Sequence, residues 1–148
     1  YENIVVTGPQ LDDAGFEANA AQAAPGTQVH RSWPGLGSQI AEAAAVISMG
    51  GYNTVCEILA TDTPALVVPR ETPRLEQLIR AEALRDARAL DVMRTPQVTA
   101  ETLGAWAAGA VTRRVDRSHI SRDGLAATAD FAADLLSDAN PAVQEVVA

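Results

Sequence analysis

The chain has 148 residues, 47% hydrophobic and 20% charged, an ordinary balance for one soluble globular domain with a core of useful size. Its formal charge of -8 argues against a nucleic-acid-binding face, because phosphate backbones demand a basic one. No run approaches the roughly 18 apolar residues of a membrane span, no signal-peptide pattern is present, and the lone Cys56 forms no internal disulfide, which fits a cytoplasmic protein.

The opening Tyr1-Glu2-Asn3 leads at once into Ile4-Val5-Val6, a strand, with no initiator Met. The expectation is a piece of a longer protein cut at a domain boundary. Thr7-Gly8-Pro9 ends that strand, and Asp12-Asp13 can cap a helix over residues 14–24, closed by Pro25-Gly26. Residues 27–31 alternate as a short strand, in which His30 reads as a strand residue. Trp33-Pro34-Gly35 then breaks the chain before a helix over residues 36–44. On its own, Trp33 reads as packing between loop and sheet.

The stretch 45–80 carries the chemistry. Ala45-Val46-Ile47 suits a buried strand, and Gly50-Gly51 lets the chain turn tightly and a ligand approach the backbone. Thr54-Val55-Cys56-Glu57 has capping-box spacing, which predicts a helix starting at Thr54 with Cys56 as a small buried hydrophobe. A second strand, Ala65-Leu66-Val67-Val68, runs into Pro69-Arg70, and Thr72-Pro73 caps and starts the next helix. This βαβα order predicts a parallel sheet with its ligand site at the carboxyl ends of the strands. The site would bind anions, since a helix start presents unpaired N–H groups and the positive end of its dipole. Arg70 and Arg74 leave the next strand on the same edge and can hold phosphate oxygens, or else pair with Glu71 and Glu76. Glu57 can accept hydrogen bonds from a sugar diol, or serve Thr54 as a cap worth about 1 kcal/mol. Tyr52 and Asn53 fall in the turn, where Asn53 satisfies backbone groups as readily as a ligand. Neither the dinucleotide fingerprint nor the Walker A loop is present.

Beyond it, the helix from Pro73 places Leu75, Leu78, Ile79 and Ala83 on one core-facing stripe, leaving Arg80 and Arg85 solvated. Residues 91–93 read as the last short strand. Thr99 caps a helix with Leu103, Trp106, Ala107 and Ala110 at core spacing. Residues 113–122 form a charged connector, 124–137 a final Ala/Leu helix, and Asn140-Pro141 begins a fraying tail. Residues 1–112 thus form one strand–helix unit, with 113–148 a connector, helix and tail of the same domain.

GGYNTVCEIL, PALVVPR and PRLEQLIRA resemble the donor-binding half of a GT-B glycosyltransferase, in particular the family that adds N-acetylglucosamine to lipid intermediates of peptidoglycan synthesis. The resemblance runs from about residue 4 to residue 103 and is specific over 48–81. It implies a Rossmann-like α/β fold with helices on both faces of a parallel sheet, one half of a GT-B enzyme. It also implies roles. Gly50, Gly51, Tyr52, Asn53 and Thr54 would hold the donor diphosphate with Arg70 and Arg74, Glu57 the ribose, Glu76 and Gln77 the transferred sugar, and Trp33 the base. The first of the family's paired Gln positions is Glu76 here, and its first glycine-rich loop is Thr7-Gly8-Pro9.

The implied donor is a nucleotide sugar, foremost a UDP-sugar. The implied chemistry is inverting and metal-independent, needs no cofactor, and takes its base from a missing N-terminal acceptor domain, so that no catalytic residue lies in this chain. No Asp-x-Asp triplet occurs. The whole enzyme would be cytoplasmic and peripheral to the membrane. Two alternatives stay open, a domain of a GT-B-shaped nucleotide-sugar 2-epimerase and a non-catalytic partner-binding module.

Overall fold

The computed structural model describes residues 2–138; the expected tail from Asn140 lies outside them. Strands and helices alternate from the start: β1 (Asn3–Val6), α1 (Asp13–Gln22), β2 (Thr27–His30), α2 (Leu36–Glu42), β3 (Val46–Ser48), α3 (Tyr52–Leu59), β4 (Ala65–Val67), α4 (Glu76–Asp86) and β5 (Asp91–Val92). A 3-10 turn at Thr95–Gln97, α5 (Ala100–Ala110) and α6 (Gly124–Asp138) follow. Every strand pair is parallel, as helical crossovers require. The ladders are two: β1 with β2, and β3-β4-β5 with β4 central.

The core lies around β4, whose Ala65, Leu66 and Val67 are all buried. Side chains alternate along a strand, so Ala65 and Val67 share one face. They cluster there with Ile40 of α2, Ile58 of α3 and Ala81 of α4. Leu66, on the opposite face, lines a cavity with Trp106 and Ala110 of α5. Helices therefore cover both faces of the three-stranded sheet, the Rossmann-like arrangement. Within this core the Thr63 hydroxyl donates to the Ile40 carbonyl at 2.7 Å, tying α2 to the approach to β4.

Five expectations about the elements need correction. The first strand of the 45–80 stretch is not buried: Val46 is half-buried and Ile47 is exposed. α3 begins at Tyr52 with Gly51 as its N-cap, so Thr54 already has helical backbone and caps nothing. α4 begins at Glu76, and Thr72–Pro73 is a cis peptide in the preceding loop. The loop is held instead by the Gln77 side chain, whose Oε1 accepts from the Arg70 backbone N–H at 3.1 Å. The core face of α4 also differs: Leu78 and Ala81 are buried and Leu84 half-buried, while Leu75, Ile79 and Ala83 are exposed. Cys56 is exposed, because Val55 and Ile58 take the inward face of α3.

The charged connector is partly internal. Arg117 is buried and donates to the carbonyls of Ala89 (2.7 Å), Thr61 (2.7 Å) and Thr63 (2.9 Å), and burial lowers the pKa of its guanidinium. The Val115 N–H adds a bond to the Asp62 carbonyl at 2.8 Å. By contrast α6 is exposed from Gly124 through Leu136.

Candidate functional site

The turn between β3 and α3 is built around a residue that must be glycine. Gly50 has φ +73, and a Cβ there would fall 2.6 Å from Cγ1 of the buried Val67. The Gly50 N–H is satisfied by the Ser48 hydroxyl at 3.1 Å. Gly51 then starts the helix, and its carbonyl accepts the first helical bond, from Val55 at 2.9 Å. No side chain caps this end. The amides of Gly51, Tyr52, Asn53 and Thr54 are therefore the four that a helix start leaves without intrahelical acceptors, at the positive end of the dipole. This is an anion-binding geometry.

Glu57 lies in the second turn of α3. Its Cγ is 3.6 Å from where a Cβ of Gly37 would be, so its stem packs across the first turn of α2. Among the described residues its carboxylate accepts no hydrogen bond, and the capping box does not form; the carboxylate is left available to a ligand. Trp33, in the loop before α2, packs edge-on against His30 with ring centroids 4.3 Å apart. Four residues on, Gly37 is the position that the Glu57 stem packs against.

On the neighbouring loop Arg70 and Arg74 are both exposed, and among the described residues neither guanidinium pairs with a carboxylate. The acids beside them are taken by other arginines. Glu71 is held by Arg94, which pushes its carboxyl below the usual range. Glu76 accepts from Arg80 at 2.7 Å, and that guanidinium lowers its carboxyl likewise.

Arg80 is the residue the sequence reading misplaces. Instead of pointing to solvent, its Nη2 donates to the Gly50 carbonyl at 3.0 Å, and its Cζ lies 5.8 Å from the centre of the Tyr52 ring. The Glu76/Arg80 spacing of four residues on a helix signals the ion pair. Nothing local signals the contact 30 residues back along the chain. The structure thus brings Gly50, Tyr52, Arg80 and Glu76 into one connected group, and joins Gln77 to Arg70.

Comparisons with known proteins identify the family. The family model described as "Glycosyltransferase family 28 C-terminal domain" matches residues 3–109, and the chain belongs to that family. Two curated relatives are both named UDP-N-acetylglucosamine--N-acetylmuramyl-(pentapeptide) pyrophosphoryl-undecaprenol N-acetylglucosamine transferase. One, from Salmonella typhi, is 31% identical over 115 residues, covering 75% of this chain and 32% of the relative. The other, from Salmonella dublin, is 32% identical over 87 residues, covering 56% of this chain and 24% of the relative. The chain therefore spans about a quarter to a third of the length of these relatives. A crystal structure of the kitacinnamycin glycotransferase superposes with a TM-score of 0.59 at 19% identity, covering 76% of this chain and 27% of that one, a likeness of fold.

Proposed function

We propose, from this family membership, that the chain is the donor-binding domain of a glycosyltransferase and takes a nucleotide sugar, foremost a UDP-sugar, at the Gly50-Gly51 turn. The observation that carries the reading is the uncapped start of α3 behind an obligate glycine. Its free amides suit a diphosphate, with the unpaired guanidiniums of Arg70 and Arg74 on the adjoining loop. Glu57, free of any cap, takes the ribose hydroxyls. Glu76 and Gln77 meet the transferred sugar, and Trp33 the base.

In the whole protein, an acceptor hydroxyl attacks the anomeric carbon and expels the nucleoside diphosphate with inversion. Negative charge builds on the leaving diphosphate, and the helix-start amides, with the guanidiniums of the adjoining loop, stabilise that transition state without a metal. The base and the acceptor site come from an N-terminal domain outside this chain. The family resemblance is what assigns the reaction to the cytoplasm, at the membrane periphery. Among the described residues no helix is long and apolar enough to cross a membrane. The connector after residue 112 belongs with 1–112 in one domain, a reading supported by the bonds of Arg117 to three core-loop carbonyls.

Thermal unfolding with a panel of nucleoside diphosphates and nucleotide sugars tests the reading. A ligand at 100 times its Kd stabilises the native state by about 2.7 kcal/mol. Absence of any shift at millimolar UDP, or at millimolar levels of the other diphosphates, overturns it.

A further inference from the structure

We infer that Arg80 is a positioning residue of the donor site, one that fixes the Gly50–Gly51 peptide so that its amide edge faces the diphosphate. The inference rests on the nucleotide reading of that turn.

A peptide between two glycines is the one most free to flip, because neither neighbour has a Cβ to restrict it. If Gly50–Gly51 turned over, its carbonyl would face the bound anion and repel it. Arg80 removes that freedom. Its Nη2 holds the Gly50 carbonyl oxygen at 3.0 Å. In a trans peptide the N–H points opposite to the carbonyl, so the Gly51 amide is directed away from Arg80.

The arginine is itself held. Nη1 donates to Glu76 at 2.7 Å, and the side chain is 22% exposed where that of Glu76 is 66% exposed. Its Nε is enclosed, and among the described residues it meets no acceptor. A guanidinium on a surface helix normally reaches water with all its donors. Leaving one unmet is unfavourable, and the arrangement persists because the other two bonds fix the group between the turn and α4. The bridge also joins the residue proposed to meet the sugar, Glu76, to the turn proposed to meet the diphosphate.

Calorimetric titration of the 148-residue chain with UDP, beside thermal melts, tests the role. Arg80→Met is expected to weaken UDP binding about tenfold or more, the cost of losing a hydrogen bond from a charged donor, with Arg80→Lys recovering part of the loss. Unchanged affinity in Arg80→Met, with only a lowered melting temperature, marks a purely structural arginine and overturns the inference. Should Arg80→Met fail to fold, the wild-type amide spectrum decides. UDP should move the Gly51 amide and Arg80 Nε signals together, and a stationary Arg80 Nε overturns the inference. Failure of wild type to bind any nucleoside diphosphate overturns the underlying reading and this inference with it, an outcome distinct from wild-type binding that Arg80→Met leaves intact.

Discussion

Gly50 and Val67 are packed so closely that a single methyl group on the first would overlap the second: its Cβ would lie 2.6 Å from Val67 Cγ1. Val67 is fully buried at the centre of the sheet and has nowhere to move. The proposed anion site thus rests directly on the core, and the positive φ of Gly50 adds a backbone cost for any other residue. Gly50→Ala is expected to destabilise the chain by roughly 2–4 kcal/mol, combining left-handed strain with overpacking. A denaturant melt measures it. A loss under about 0.5 kcal/mol, the range of ordinary surface changes, would show that the turn can relax.

Arg117 should be the most sensitive position of the connector. Arg117→Met keeps much of the apolar stem but leaves the carbonyls of Ala89, Thr61 and Thr63 without their donor. The expected loss is about 3 kcal/mol or more, since unsatisfied buried groups cost about 1–3 kcal/mol each and partial hydration offsets some of that. Chemical denaturation of the variant beside wild type checks it, and a change within experimental error would detach the connector from the fold.

Glu57 separates binding from stability. Its carboxylate caps nothing, so Glu57→Ala should leave the unfolding midpoint nearly unchanged while weakening nucleotide-sugar affinity. Glu57→Gln should weaken it less, because an amide still bonds to a ribose diol. Paired titrations and melts on the three proteins read this out. A destabilised Glu57→Ala with wild-type affinity would return the residue to a structural role.

The Glu76–Arg80 pair predicts a pH dependence with a definite sign. Arg80 holds the Glu76 carboxyl below its ordinary 4.5. A depressed carboxyl contributes stability that is complete above the unfolded value and is lost as pH falls through the lower folded value. The melting-temperature difference between wild type and Glu76→Gln should therefore be constant from pH 7 down to about 5 and shrink below 4.5. The pair is exposed to solvent and salt, so the difference should be small and should fall at high ionic strength. A difference that grows on acidification contradicts the pairing.

Residues 1–148 alone should bind donor and transfer nothing to an acceptor. An acceptor hydroxyl would lack both orientation and a general base, and the base alone is worth about 10² to 10⁴ in rate. Incubation with a UDP-sugar and a lipid-linked acceptor checks this, and slow hydrolysis of the donor is the most expected. Acceptor-dependent transfer at enzymatic rates would place the catalytic machinery inside this chain.

The amino-acid sequence by itself determined the alternation of strands and helices, the parallel sheet and the position of the glycine turn. Those features are local: apolar runs such as Ala65-Leu66-Val67, the break at Gly50-Gly51, and the Thr99 cap that the structure keeps. Even the face of α5 is legible, since Trp106 and Ala110 both line the cavity against Leu66 at the predicted spacing. Helix starts were less legible. Thr54 and Pro73 carry the right local signals, but Gly51 and the Gln77 bond to Arg70 set where α3 and α4 begin.

The long-range roles of the arginines only the tertiary structure decided. By composition Arg80 and Arg117 are two more charged residues on a charged chain. Arg80 reaches Gly50 across 30 residues, and Arg117 reaches Thr61 across 56. Such bonds depend on where separate strand–helix units dock. The hydrophobic pattern specifies which faces meet, but not which carbonyls then lie within reach of a long, flexible guanidinium side chain.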